Sequence, residues 1–250
     1  MAIAPTICYL CGLPLSLPMS ADHAPPKQFF APIIRKKHAP QLLTIPVHDA
    51  CNKAYQFDED YFVHTLMPFA QRTYAGRAIY DEVLAKFRAG KKAGLTRGVL
   101  NEFEPRPSGL VLPGNKVVKR FQGKRPQRVA WKIVRGLYFH HHGVALPEGL
   151  RTWVSVTPIS GGEQPPEHFL QFMQSQSSTE AHGAYPGVFS YRFDNFADDG
   201  VNNIHYWAML IWDSVLVTVI SHDPACPCCQ SAGGHREARQ LACLPPPRPP

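Results

Sequence analysis

Cys8 and Cys11 stand two residues apart in "CYLCG", and His48 and Cys51 repeat that spacing in "HDAC". Two pairs with two-residue spacers are the arrangement a tetrahedral zinc needs: each pair sits on a tight turn that aims both ligands at one ion. Such an ion would hold together a segment with too few large apolar residues to fold unaided. The other four cysteines, Cys226, Cys228, Cys229 and Cys243, lie near the far end. The spacing of the first group, Cys8, Cys11 and Cys51, suits a metal better than a disulfide framework. Asp22-His23 stands between the two ligand pairs, closed by Pro25 and Pro26, and Asn52 follows Cys51 directly.

The stretches "CYLC", "DHAPP" and "HDACNK", taken in order, resemble the HNH endonuclease family, ββα-metal nucleases with an added zinc site. The resemblance covers about the first 60 residues. It implies His23 as general base, because an imidazole titrates near neutral pH and can take a proton from water. It also implies Asp22 and Asn52 as oxygen ligands of a catalytic Mg²⁺ or Mn²⁺, with Cys8, Cys11, His48 and Cys51 around a structural zinc. His48 stands where the second zinc pair usually has a cysteine. The family usually carries an asparagine that orients the catalytic histidine; residues 24–51 contain none, and Thr44 or Gln41 lies near that place.

The elements that must position these residues can be read from pattern. Residues 1–62 are loop-rich, with extended pieces at "TICYL" and "LLTIPV" and a helix starting near Asp49; Asp58-Glu59-Asp60 opens the next helix. In "GRAIYDEVLAKFRAGKKAG", Ile79, Val83 and Phe87 share one helical face, with Gly94 as the stop. Residues 95–125 read as irregular, with a turn at "LPGNKV". "PQRVAWKIVRGLYFHHHG" reads as a helix with Val129, Ile133 and Leu137 buried and Arg128, Lys132 and Arg135 on another face. His140, His141 and His142 then meet the helix end rather than one shared ion. "RTWVSVT", "GVFSYRF", "IHYWAMLIW" and "VLVTVI" read as strands, the last two joined at Asp213-Ser214, with a helix at "PPEHFLQFMQS". Trp153, Trp207 and Trp212 are assigned to packing. The expected class is α+β: a zinc-stabilised HNH-like module (1–62), a basic helical and irregular connection (63–125), and an α+β domain with an antiparallel sheet (126–222). A Pro/Cys-rich tail (223–250) is expected to be disordered, although Cys226, Cys229, His235 and Cys243 loosely suit a zinc knuckle.

Net charge is +7, and it is concentrated: residues 63–136 carry sixteen basic and four acidic groups. A basic middle of this kind suits a polyanion, with DNA favoured over RNA. Lys53, Arg88, Lys91, Lys92, Arg128 and Lys132 are the expected phosphate contacts. No basic-then-apolar start and no unbroken apolar span is present, so a cytoplasmic protein without a membrane segment is expected. The leading function is a metal-dependent HNH-type endonuclease. The alternatives are a non-catalytic zinc-containing nucleic-acid-binding protein and a protein-interaction component of a defence or toxin system.

Overall fold

A computed structural model describes residues 6–104, 118–159, 165, 167–174, 182–185, 187–198, 202–223, 225 and 239–240. The chain combines helices with antiparallel sheets. Strands β1 (Met19–His23) and β2 (Thr44–His48) pair antiparallel, placing Met19 opposite His48 and His23 opposite Thr44. A 3-10 turn (Lys27–Phe29) and helix α1 (Pro32–His38) fill the connection between them. Helix α2 (Asp49–Lys53) leaves β2 directly, and α3 (Gln56–Ala70), α4 (Tyr74–Arg88) and α5 (Ala93–Leu100) follow. A small ladder of β3 (Phe103–Glu104) with β4 (Val118–Lys119) precedes the long helix α6 (Lys124–His142).

The second half is a six-stranded sheet in the order β10 (Arg239–Gln240), β5 (Arg151–Pro158), β9 (Val215–His222), β8 (Asn202–Ile211), β7 (Phe189–Asp198), β6 (His182–Tyr185). The strand alternation is clean. Trp207, Met209 and Ile211 face the helices, while Tyr206 and Ala208 meet Phe172 of helix α7 (Glu167–Gln174) on the other side. Trp212 and Asp213 take positive φ in the β8–β9 turn, where Ser214 N–H bonds to Ile211 O. The buried Trp212 indole anchors that turn by donating to Phe29 O at 2.8 Å.

One apolar cluster runs from Phe29 and Ile34 through α3, α4 and α6 to Val219. The boundary expected after residue 62 falls inside α3, and that after 125 falls inside α6. Ile79 and Val83 are buried as expected, but α4 ends at Arg88, and Gly94 lies within α5 rather than stopping a helix. Gly90, at φ +68°, makes the turn instead. The segment expected to be irregular contains α5 and the β3–β4 ladder; its "LPGNKV" turn lies outside the described residues, as do the tail cysteines and His235. Trp207 and Trp212 are fully buried, and His140, His141 and His142 form the last turn of α6 before Gly143. No described helix is long and apolar enough to cross a membrane.

Helix α6 is the central element because both its faces are covered. Val129, Ile133 and Leu137 lie in the large core as their spacing predicts. The other stripe, Arg128, Lys132 and Arg135, turns inward against the N-terminal segment rather than outward. Close approach there depends on Gly136, where a Cβ would stand 2.8 Å from Ala24 Cβ and 3.3 Å from the Tyr9 hydroxyl. An exposed helical glycine is stabilised by about 1 kcal/mol on change to alanine. At Gly136 overpacking of about 1–3 kcal/mol opposes that gain, so Gly136→Ala is expected to lower the urea midpoint. A raised midpoint at unchanged m-value would show the interface to be looser than described.

Candidate metal centre and adjoining cleft

The first ligand pair sits on a tight knuckle, in which Gly12 N–H bonds to Cys8 O at 2.7 Å and Cys11 N–H reaches the same oxygen at 3.2 Å. His48 ends β2, and Cys51 lies in the first turn of α2. The hairpin and helix therefore deliver the second pair to the knuckle. The ligand atoms of Cys8, Cys11, His48 and Cys51 all lie within 4.8 Å of one another. His48 Nδ1 is 3.4 Å from Cys11 Sγ and 3.9 Å from Cys51 Sγ. Tetrahedral zinc with ordinary bond lengths needs sulfur–nitrogen edges of about 3.5 Å, so the set can hold a metal ion such as zinc. His48 Nε2 lies 3.0 Å from Pro14 O and 3.1 Å from Ser16 N; in the tautomer that donates to Pro14 O, Nδ1 keeps a lone pair for an ion. Among the described residues this is the one group of three or more His, Cys, Asp or Glu side chains that meets at a common point.

Tyr9, inside the knuckle, links this centre to a cleft of about 460 Å³. Its walls include Asp22, His23, Gln28, Asn52, Gln56 and Glu59, and Lys27, Lys86 and Lys92 reach it from the chain around them. His23, Asp22 and Asn52 thus share one cavity. Thr44, opposite His23 in the ladder, gives its own hydroxyl hydrogen to Leu42 O at 3.1 Å. Its Oγ1 lies 3.2 Å from His23 Nδ1, and with the hydroxyl hydrogen on Leu42 O it can accept from that nitrogen. In that tautomer the ring proton sits on Nδ1, and Nε2 carries the lone pair that can accept a proton. Burial lowers the His23 pKa; the Asp22 charge opposes that, and Lys27 and Lys132 reinforce it. Asn52 Nδ2 donates to Ser20 Oγ at 3.1 Å and lies 3.4 Å from Ala21 O, which directs its amide nitrogen toward β1.

The floor of the cleft corrects one expectation. Lys132 is 1% exposed and faces no solvent phosphate. Its Nζ donates to Asp22 Oδ1 at 2.6 Å and to Glu59 Oε1. The Tyr9 hydroxyl donates to Asp22 Oδ2, and Gln28 Nε2 donates to Glu59 Oε2 at 2.7 Å. A cation taken out of water must find anionic partners, and α6 finds them in β1 and α3. Burial pushes the Glu59 carboxyl up, with the Lys132 charge pulling it back. Tyr9, buried beside the Asp22 charge, is pushed well above an ordinary phenol and keeps its hydrogen.

Arg128 is also drawn inward, with Nη1 3.3 Å from Asp58. Arg88, Lys91 and Lys92 are exposed as expected, although Lys92 lies 2.5 Å from Asp60 at the cleft and Lys53 lies 2.6 Å from Asp49. Glu59, Gln28, Lys27, Lys86 and Tyr9 are cleft or second-layer residues that spacing alone did not assign. The pattern that points to them is the acidic first turn of α3 facing a basic stripe on α6. Compared with family models, curated proteins and solved structures, the chain matches none of them.

Burial is the first cause pushing the Cys8 and Cys51 thiols up, so both hold their protons at neutral pH without a metal. Binding to thiolates must expel those protons, and affinity falls as pH falls. Purified protein is expected to carry one zinc per chain by elemental analysis and to release it on acidification, with a lowered Tm. Cys11→Ser should weaken retention at least tenfold in a chelator competition; full zinc content in that variant would exclude the four-ligand set.

Proposed function

We propose that the chain is an HNH-type endonuclease that hydrolyses nucleic-acid phosphodiesters in this cleft. One observation carries the reading: His23, whose Nδ1 lies 3.2 Å from Thr44 Oγ1, shares a cavity with Asp22 and Asn52 directly beside the four residues that could hold a metal. An antiparallel hairpin followed at once by a short helix supports the ββα arrangement that the resemblance implies. The ion at Cys8, Cys11, His48 and Cys51 is a structural zinc, because four protein ligands leave no open position for substrate.

In the proposed reaction His23 Nε2 takes a proton from the attacking water. Asp22 and Asn52 line the cleft, and each Asp22 oxygen keeps a second lone pair beyond its bond to Lys132 or Tyr9. That donor set fits a hard divalent cation. Mg²⁺ or Mn²⁺, if held there by Asp22 and Asn52, would supply positive charge for the oxygens of the reacting phosphate. Lys27, exposed at the cleft beside His23, and the more distant Arg88 and Lys91 supply non-specific attraction for the backbone.

Supercoiled plasmid is expected to be nicked in Mg²⁺ or Mn²⁺. His23→Ala should lower the rate by about two to four orders of magnitude at unchanged zinc content. Salt-sensitive binding without nicking would instead favour the non-catalytic nucleic-acid-binding alternative. The pH profile gives a second check. Burial lowers the folded His23 pKa, so the neutral base dominates at pH 7, and kcat/KM should fall only as pH drops below the ordinary histidine value of about 6.5. An acid limb above that value would assign the base to another group.

A further inference from the structure

We propose that Lys132 is a positioning residue of this cleft: its ammonium clamps the Asp22 and Glu59 carboxylates side by side behind His23 and so sets how Asp22 is presented to the reaction. The inference rests on the nuclease reading above.

The three side chains come from the end of β1, the first turn of α3 and the middle of α6, and all are at least nine-tenths buried. Each carboxylate gives one oxygen to the ammonium and the other to a neutral donor, Tyr9 for Asp22 and Gln28 for Glu59. Both groups are therefore held at two points, which fixes their planes. The Tyr55 ring covers another side of the ammonium, with Nζ 5.4 Å from its centroid. Lys132 accordingly has no approach to a substrate phosphate.

An ion pair made only for packing needs one carboxylate. Here two share one ammonium, and both also line the cleft. Two buried carboxylates converging on one ammonium at a cleft wall are costly to bury, and such costs belong to functional sites. Lys132 acts through Asp22 rather than on the substrate.

A phosphate-contacting lysine and a positioning lysine differ in kinetics. Loss of the first raises KM and weakens the salt dependence of binding; loss of the second lowers kcat alone. Plasmid nicking is measured for the wild type, Lys132→Arg, Glu59→Gln and the double variant Lys132→Met/Glu59→Gln. Lys132→Met by itself strands two buried carboxylates, whereas the double variant leaves only one and so carries the test. Relative to Glu59→Gln, which keeps the Lys132–Asp22 contact, the double variant should keep KM within about twofold and lose about 100-fold in kcat, the scale of a misplaced reacting group. Circular dichroism and zinc content should be those of the wild type, and Lys132→Arg should retain more activity than the double variant. A folded double variant with the kcat of Glu59→Gln overturns the proposal, as does a loss confined to KM. Absence of nicking by the wild type in both Mg²⁺ and Mn²⁺ removes the nuclease reading and this inference together. A failure seen only among the variants leaves the nuclease reading standing.

Discussion

The cost of burying positive charge governs how this chain is assembled. Helix α6 carries Arg128, Lys132 and Arg135 along one stripe and a fully apolar stripe on the opposite side. With the apolar stripe against the sheet and α3, the cationic stripe must face the N-terminal segment, and each charge must meet a partner there. Asp58 meets Arg128, Asp22 and Glu59 meet Lys132, and the Tyr9 carbonyl accepts from Arg135 Nε at 3.0 Å. These contacts fix the hairpin, α3 and α6 in one relative rotation. Gly136 allows the approach by leaving room for Ala24 and Tyr9.

The metal-ligand cluster and the cleft are two ends of one short path. The knuckle that presents Cys8 and Cys11 also presents Tyr9, whose hydroxyl holds Asp22. The same hairpin that carries Asp22 and His23 ends at His48, and the helix that carries Cys51 also carries Asn52. Holding the four ligands together therefore holds the cleft's walls in register. A small apolar cluster of Cys8, Leu10, Ile45, Val47, Tyr55 and Phe139 packs around the ligands and ties them to the end of α6.

The cleft has an acidic floor and lysines about it. Asp22 and Glu59 share one ammonium below, while Lys27, Lys86 and Lys92 stand around the cavity, Lys86 beside Glu82 and Lys92 beside Asp60. In the proposed nuclease reading, the lysines would attract a polyanion and the carboxylates below would face a cation. Much of the basic charge counted in residues 63–136 is spent on internal pairing, so the formal excess overstates the field at the surface.

Local pattern carried a large share of the reading. The paired two-residue spacers pointed to the four residues that converge on a possible metal site, because a turn of that length by itself brings both side chains to one side. Alternation located the long strands, and the 3.6-residue period located α6 and its buried Val129, Ile133 and Leu137. Thr44, near the place where the resemblance puts an orienting residue, reaches His23 because the ladder register sets the two opposite each other. Tertiary structure alone decided what Lys132 and Glu59 do. Asp22 and Lys132 stand 110 residues apart, and a basic stripe on a helix reads the same whether it faces water or a buried carboxylate. Spacing reports which side chains share a face; only the packing of distant elements decides which medium that face meets, and the medium sets whether a charge binds a ligand or holds the fold.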